Sequence, residues 1–215
     1  MSSDTSSPEP AETAAASKRV LRHAAYPLRR AKEAAERLRA GEACTRLLRA
    51  QPAYVRAADI ACYVSMGTEV STTPLLAAML ADGKRVLVPR LGSGMEIGWS
   101  ALEGEGALDA LRAVDSPHLR PDEPDLPVLG PEALADCTLV VLPALAVDGR
   151  GIRLGRGGGW YDRALRWRAP EAELVALVWP WEFDARRDLP HGAHDVPVDA
   201  VLTPDAFIGL GDDKS

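Results

Sequence analysis

Cysteine is scarce in this chain of 215 residues. Cys44, Cys62 and Cys137 are far apart, odd in number and without CxxC spacing. That excludes a disulfide framework and a thiolate zinc site, and it points to a reducing, cytoplasmic setting. No apolar run approaches the roughly 18 residues of a membrane span. The opening MSSDTSSPEPAETAAAS has no basic n-region and no apolar core, so it is not a secretory signal. Its Ser, Pro, Glu and Ala content predicts a disordered tail over residues 1–17. Excess positive charge is missing too. Lys and Arg total 25 against 31 Asp and Glu, a net charge of -6, which argues against sequence-independent nucleic-acid binding. Neither GxSxG nor HExxH occurs, and no Cys–His signature is present.

What is present is apolar and alternating. Apolar residues make up 47% of the chain, enough for a substantial core. The predicted architecture is a single α/β domain over residues 18–208, with a mostly parallel open sheet flanked by helices and a C-terminal tail at 209–215. Ser17 is the expected cap of a helix starting at Lys18, with Gly41 as its break and a kink or restart near Tyr26 because of Pro27. ADIACYVSM (58–66) and KRVLVPRL (84–91) read as buried strands around the helix STTPLLAAMLADG. There Thr72 or Thr73 caps, Pro74 sits in the first turn and Gly83 ends the helix. This is one βαβ unit, which implies parallel pairing and a right-handed crossover. GMEIGWSAL is a strand or hairpin, and SPHLRPDEPDLPVLGPE is too proline-rich for regular structure. CTLVVLP (137–143), AELVALVWP (172–180) and VDAVLTP (198–204) are further strands, the last of them closing the sheet.

The stretch GIRLGRGGGWYDRAL, Gly151 to Leu165, is read as a glycine loop at the end of the 137–143 strand, with a helix following from about Gly159 to Arg168. Strand, glycine loop, helix is an anion-binding arrangement. Backbone N–H groups turn toward the anion and the helix N-terminus adds partial positive charge. Arg153, Arg156 and Arg163 bring full charges to the same place. The loop is neither a P-loop, which needs GxxxxGK followed by Ser or Thr, nor the dinucleotide fingerprint GxGxxG, because Trp160 stands at the third glycine.

The run Arg153-Leu-Gly-Arg-Gly-Gly-Gly-Trp-Tyr-Asp162 resembles RLGxGxGxYD, the signature of the 5-formyltetrahydrofolate cyclo-ligases. LPALAVDGRGIRLG, SKRVLR, YVSMGTEVSTTPLL and HDVPVDAVLTP resemble further segments of that family, in the family's order. The resemblance implies ATP-driven closure of 5-formyltetrahydrofolate to 5,10-methenyltetrahydrofolate through a phosphorylated formyl group, with ADP and phosphate released. It implies ATP contacts from Lys18, Arg22 and the loop Arg153, Leu154, Gly155, Arg156, Gly157, Gly158, Gly159, Trp160 and Tyr161. It implies folate contacts from Val64, Glu69, Arg156, Gly157, Gly158, Gly159 and Trp160. Arg156, with Arg153 beside it, is the candidate for the charge nearest the transferring phosphoryl. Asp162 and Asp195 are implied ligands of Mg²⁺, which favours oxygen donors and takes one or two carboxylates alongside phosphates.

Some points stay open on sequence alone. Trp160 and Tyr161 either stack on a flat ring or anchor the following helix. Arg29 continues the face of Lys18 and Arg22, but beyond Pro27. Trp160 replaces the family's more usual tyrosine, and the SPHLRPDEP segment matches the family too loosely to carry a role. Two other functions compete: a phosphate- or ATP-using α/β enzyme related to sugar-phosphate isomerases, and a non-catalytic nucleotide binder. A monomer acting on small molecules, with no membrane partner, is expected.

Overall fold

A computed structural model describes residues 10–91, 97–104, 106–115, 120–192 and 194–211. The expected tail at 1–9, residues 92–96 and 116–119 of the middle segments, and 212–215 of the C-terminal tail lie outside the described residues.

The chain begins with helix α1 (Pro10–Arg30), followed by α2 (Ala34–Arg49) and a single short turn, α3 (Pro52–Arg56). Strand β1 (Asp59–Cys62), helix α4 (Thr73–Ala81) and strand β2 (Arg85–Arg90) form the expected βαβ unit, with β1 and β2 parallel. Thr72 is the N-cap of α4 and Pro74 lies in its first turn. Strand β3 (Gly98–Leu102) returns antiparallel to β2. Two short strands follow, β4 (Leu111–Arg112) and β5 (Glu123–Pro124), paired antiparallel. Then come β6 (Leu139–Pro143), a hairpin of β7 (Ala146–Asp148) and β8 (Arg153–Leu154), helix α5 (Trp160–Ala164), β9 (Glu173–Leu177), β10 (Phe183–Asp184), β11 (Ala200–Leu202) and β12 (Phe207–Gly209).

The main sheet runs β12-β11-β9-β6-β1-β2-β3. Its five inner strands are parallel, and the antiparallel strands are the two at the edges. Both faces are covered, and the period-2 alternation of each strand divides its residues between two cores. Ile60, Val86, Val88, Leu139, Val141, Val175 and Leu177 join one cluster with α2 and α4. Ala61, Leu87, Val140, Leu142, Leu174 and Ala176 join the other with Ala164 and Leu165. Burial on both faces is why these strands read as unbroken apolar runs.

Several sequence expectations are corrected. Residues 10–17 are the first turns of α1, not part of a tail, so the helix does not start at Lys18. No restart occurs at Pro27: α1 runs through it to Arg30. Leu21, Ala25 and Tyr26 pack on the β7–β8 hairpin, and Arg29 anchors the helix end. That packing offsets the hydrogen bond proline forfeits. Gly41 does not break a helix. It lies buried inside α2, where a Cβ would collide with the Ser71 carbonyl oxygen, so glycine lets α2 approach the β1–α4 loop. The proline-rich stretch carries β5 and a bridge between Trp99 and Leu129. The glycine loop does not follow β6 directly, because the β7–β8 hairpin intervenes. The helix after it is shorter than expected, α5 ending at Ala164 before a 3-10 turn over Leu165–Trp167. The 198–204 strand is not the last, since β12 folds back on it.

Candidate active site

A cavity of about 340 Å³ opens at the carboxyl ends of β1, β2 and β6. Strand order reverses between β1 and β6: β2 lies on one side of β1, and β6, β9 and β11 on the other. In open α/β sheets this switch point leaves a crevice that accepts ligands.

The loop Gly155–Gly159 crosses that crevice on the β6 side. All five residues are exposed, and among the described residues none of their amides has a protein acceptor. Gly157 has φ +111° and Gly159 has φ +60°, backbone that an L side chain would strain. Two of the loop's carbonyls, by contrast, accept from guanidinium groups. Arg22 Nε donates to the Gly155 oxygen at 2.9 Å, and Arg163 Nη1 to the Gly158 oxygen at 2.9 Å. With the Gly155 and Gly158 carbonyls held by guanidinium groups, the exposed loop and its Arg156 border the cavity.

Helix α1 supplies the second wall. Its contact with the hairpin aims Lys18 and Arg22 over the loop, four residues apart on one helical face. Lys18 Nζ lies 2.8 Å from Asp195 Oδ2, which also accepts the Gly192 N–H at 2.9 Å. Burial works to raise the Asp195 carboxyl, but Lys18, the Gly192 N–H and Arg153 outweigh it and hold the group below the ordinary range. Arg153 is 8% exposed and binds the Asp162 carboxylate and the Val196 carbonyl, so it braces the base of the loop. Arg156 is exposed, and its Nη1 lies 3.1 Å from Met66 Sδ.

Glu69 forms the third side. It is 5% exposed, and its Oε2 accepts the Met66 N–H at 2.9 Å. Burial raises its pKa, against the Met66 hydrogen bond and the charges of Arg156 and Arg29. Trp160 packs edge-on against Trp99 at 5.1 Å and against Tyr161 at 4.9 Å. Tyr161 meets both cores, so it is an anchor of α5 whose ring also borders the cavity.

All the candidate residues border this one cavity: Lys18, Arg22, Val64, Glu69, the run Arg153 to Asp162, and Asp195. Arg29 does not. It is 2% exposed and its Nη2 binds Glu182 Oε2 at 2.9 Å, so the basic face of α1 ends at Arg22. Sequence reasoning missed Tyr63, Met66, Pro89, Leu91 and Pro121, which also line the cavity. The ends of two predicted strands pointed toward the first four. Nothing local marked Pro121.

A crevice at a strand switch point, crossed by a glycine loop and ringed by arginine and lysine, is a ligand-binding geometry of open α/β proteins. The comparisons with known proteins narrow this class. The family model described as the 5-formyltetrahydrofolate cyclo-ligase family matches residues 14–204. A 5-formyltetrahydrofolate cyclo-ligase of Mycolicibacterium smegmatis is 35% identical over 150 residues, covering 67% of this chain and 73% of that one. The Escherichia coli cyclo-ligase is 30% identical over 169 residues, covering 76% and 86%. The solved 5,10-methenyltetrahydrofolate synthetase of Aquifex aeolicus superposes with a TM-score of 0.72 at 28% identity, covering 92% of this chain and 95% of that one. The chain belongs to the 5-formyltetrahydrofolate cyclo-ligase family and is a ligase acting on a folate.

Proposed function

We propose that this chain closes 5-formyltetrahydrofolate to 5,10-methenyltetrahydrofolate at the expense of ATP, in the cavity at the β1–β6 switch point. The observation that carries the reading is the glycine loop, whose exposed amides have no acceptor among the described residues, while Arg22 and Arg163 hold the Gly155 and Gly158 carbonyls. Such a surface fits a polyphosphate.

The chemistry asks for little covalent help. The N5-formyl oxygen attacks the γ-phosphorus and the bond to the ADP bridging oxygen breaks. N10 then adds to the activated formyl carbon. Phosphate departs with the C–O electron pair, N10 loses its proton, and the methenyl cation remains. Positioning and charge neutralisation dominate such a transfer. In this reading the amides from Gly155 to Gly159 hold the phosphates, and Lys18 and Arg22 close over them from α1. Arg156 neutralises the transferring phosphoryl, and Arg153 keeps Asp162 and the loop base in register. Glu69 accepts N–H donors of the pterin, with Val64 and Trp160 beside it.

Asp162 and Asp195 are the oxygen donors fit for Mg²⁺. Both border the cavity, yet among the described residues no group of three His, Cys, Asp or Glu side chains could hold a metal. The ion would therefore need phosphate oxygens to complete its shell, which suits Mg²⁺ delivered with ATP. When bound it would offset charge on the phosphates. Each aspartate is already paired with a cation, Asp162 with Arg153 and Asp195 with Lys18. Ligation would draw Asp195 from Lys18 and free that cation for phosphate, while Arg153 stays with Asp162. In this reading the reaction runs in a reducing cytoplasm, which suits three cysteines that are buried and unpaired.

The test is turnover. With 5-formyltetrahydrofolate and MgATP the protein should release ADP and form the methenyl product, followed by its absorbance near the ultraviolet edge. Arg156→Ala should lower kcat by about 10²- to 10³-fold while ATP affinity stays largely intact. ADP release that does not depend on the folate would favour a sugar-phosphate-type enzyme. Nucleotide binding without turnover would leave a binder.

A further inference from the structure

The wall of the cavity on the β2 side is built from the end of β2 and the segment around the short strand β5. It consists of Pro89 and Leu91 at the end of β2 and Pro121 from the segment leading into β5. Polar contacts fix it. Glu123 is nearly buried, 11% exposed at its side chain, and three donors converge on its carboxylate. The Leu91 N–H lies at 3.1 Å, Arg120 Nη2 at 2.6 Å and Arg90 Nε at 3.0 Å. Arg90 also binds the Pro124 carbonyl, and Ser100 Oγ donates to the Pro127 carbonyl at 2.9 Å. The pair Trp99–Leu129, with amide bonds of 3.0 and 2.7 Å, closes the far end. Residues 120–129 are thus a strap tied across the ends of β2 and β3, with Glu123 as the knot.

The position of this wall says what it serves. β2 and β6 lie on opposite sides of β1, so the strap faces the cavity from the side away from the glycine loop. It shares the cavity with Tyr63 and Val64 at the end of β1. Arg120 of the strap and Arg90 of β2 are both engaged by Glu123, and the residues that reach the cavity from this side are apolar. Such a wall suits flat, uncharged rings and offers nothing to phosphate.

We propose that Glu123 is a positioning residue for the folate. By joining the Leu91 amide to Arg90 and Arg120, it holds Leu91 and Pro121 as the surface against which the rings of the reduced folate lie. The proposal rests on the function given above and deepens it: the β2-side wall sets folate recognition, and the loop on the β6 side sets nucleotide recognition.

Steady-state kinetics on the full chain test it. Glu123→Gln keeps the size of the side chain but loses its charge. KM for 5-formyltetrahydrofolate should rise about tenfold, with KM for MgATP and kcat within about twofold of the wild type. Pro121→Ala trims the wall without touching the network, and it should raise the folate KM alone. An unchanged folate KM in Glu123→Gln, or equal rises in both KM values, would overturn the proposal. Should Glu123→Gln fail to fold, Pro121→Ala decides, and an unchanged folate KM there overturns it. Failure of the wild type to turn over the folate would overturn the underlying function, and the proposal with it.

Discussion

Glu69 shows how a single residue can trade stability for a site. Its carboxylate is 5% exposed and receives one amide hydrogen bond, from Met66. Burial raises its folded pKa above the ordinary glutamate value. Between those two values the folded state holds more protons than the unfolded state, so stability falls as pH rises through that window and stays lower above it. Glu69→Gln should therefore raise the melting temperature at about pH 8, and the gain should vanish near pH 3, where both states of Glu69 are protonated. The same variant should bind the folate more weakly. Calorimetric melts at the two pH values check the first claim; a variant less stable at the higher pH would show that the charge is better compensated than its surroundings imply. The sequence singled out Glu69 by resemblance. Its burial came from tertiary packing, since an acid before a helix is ordinarily exposed.

At the scale of elements, α1 is the piece whose placement matters most. Its helical character was legible, but its docking was not. Its apolar residues Leu21, Ala25 and Tyr26 find the β7–β8 hairpin, an element the sequence reading did not resolve. Asp148 fixes the turn of that hairpin: it is fully buried and accepts the amides of Arg150, Ile152 and Leu189. Arg29 then pins the end of α1 to Glu182 and to the Ala144 carbonyl. Burial alone would drive each charge of the pair toward neutrality. Their mutual attraction keeps the arginine pKa raised and opposes the rise in Glu182. Arg29→Met should strand the glutamate and cost about 3–5 kcal/mol, read from urea denaturation. Adding Glu182→Leu should recover much of that loss. A single variant within about 1 kcal/mol of wild type would mean that the pair does not anchor the helix.

At the scale of the whole molecule, the site is a product of sheet order. Glu69 follows β1, the loop Gly155–Gly159 follows β8, Lys18 comes from α1 and Asp195 from the segment before β11. These positions meet only because β1 and β6 are neighbours with their carboxyl ends on one side. A ligand bridging them should stabilise the fold by mass action. MgATP at 100 times its Kd should contribute about 2.7 kcal/mol, roughly a 5–10 °C rise in melting temperature for a domain of this size. Adding the folate should raise it further. A melt unmoved by saturating MgATP would remove the nucleotide from this cavity.

The sequence by itself determined the α/β class, the parallel βαβ unit and the residues of the glycine loop. Those features rest on local periodicity, capping and backbone freedom, which neighbours along the chain specify. Only the tertiary structure decided that α1 passes intact through Pro27, that Gly41 is a point of close approach, and that Arg29 is buried with Glu182. It alone brought Pro121 and Glu123 to the wall of the cavity. Each of those facts depends on groups far apart in the chain, and no local pattern encodes which distant surface a residue will meet.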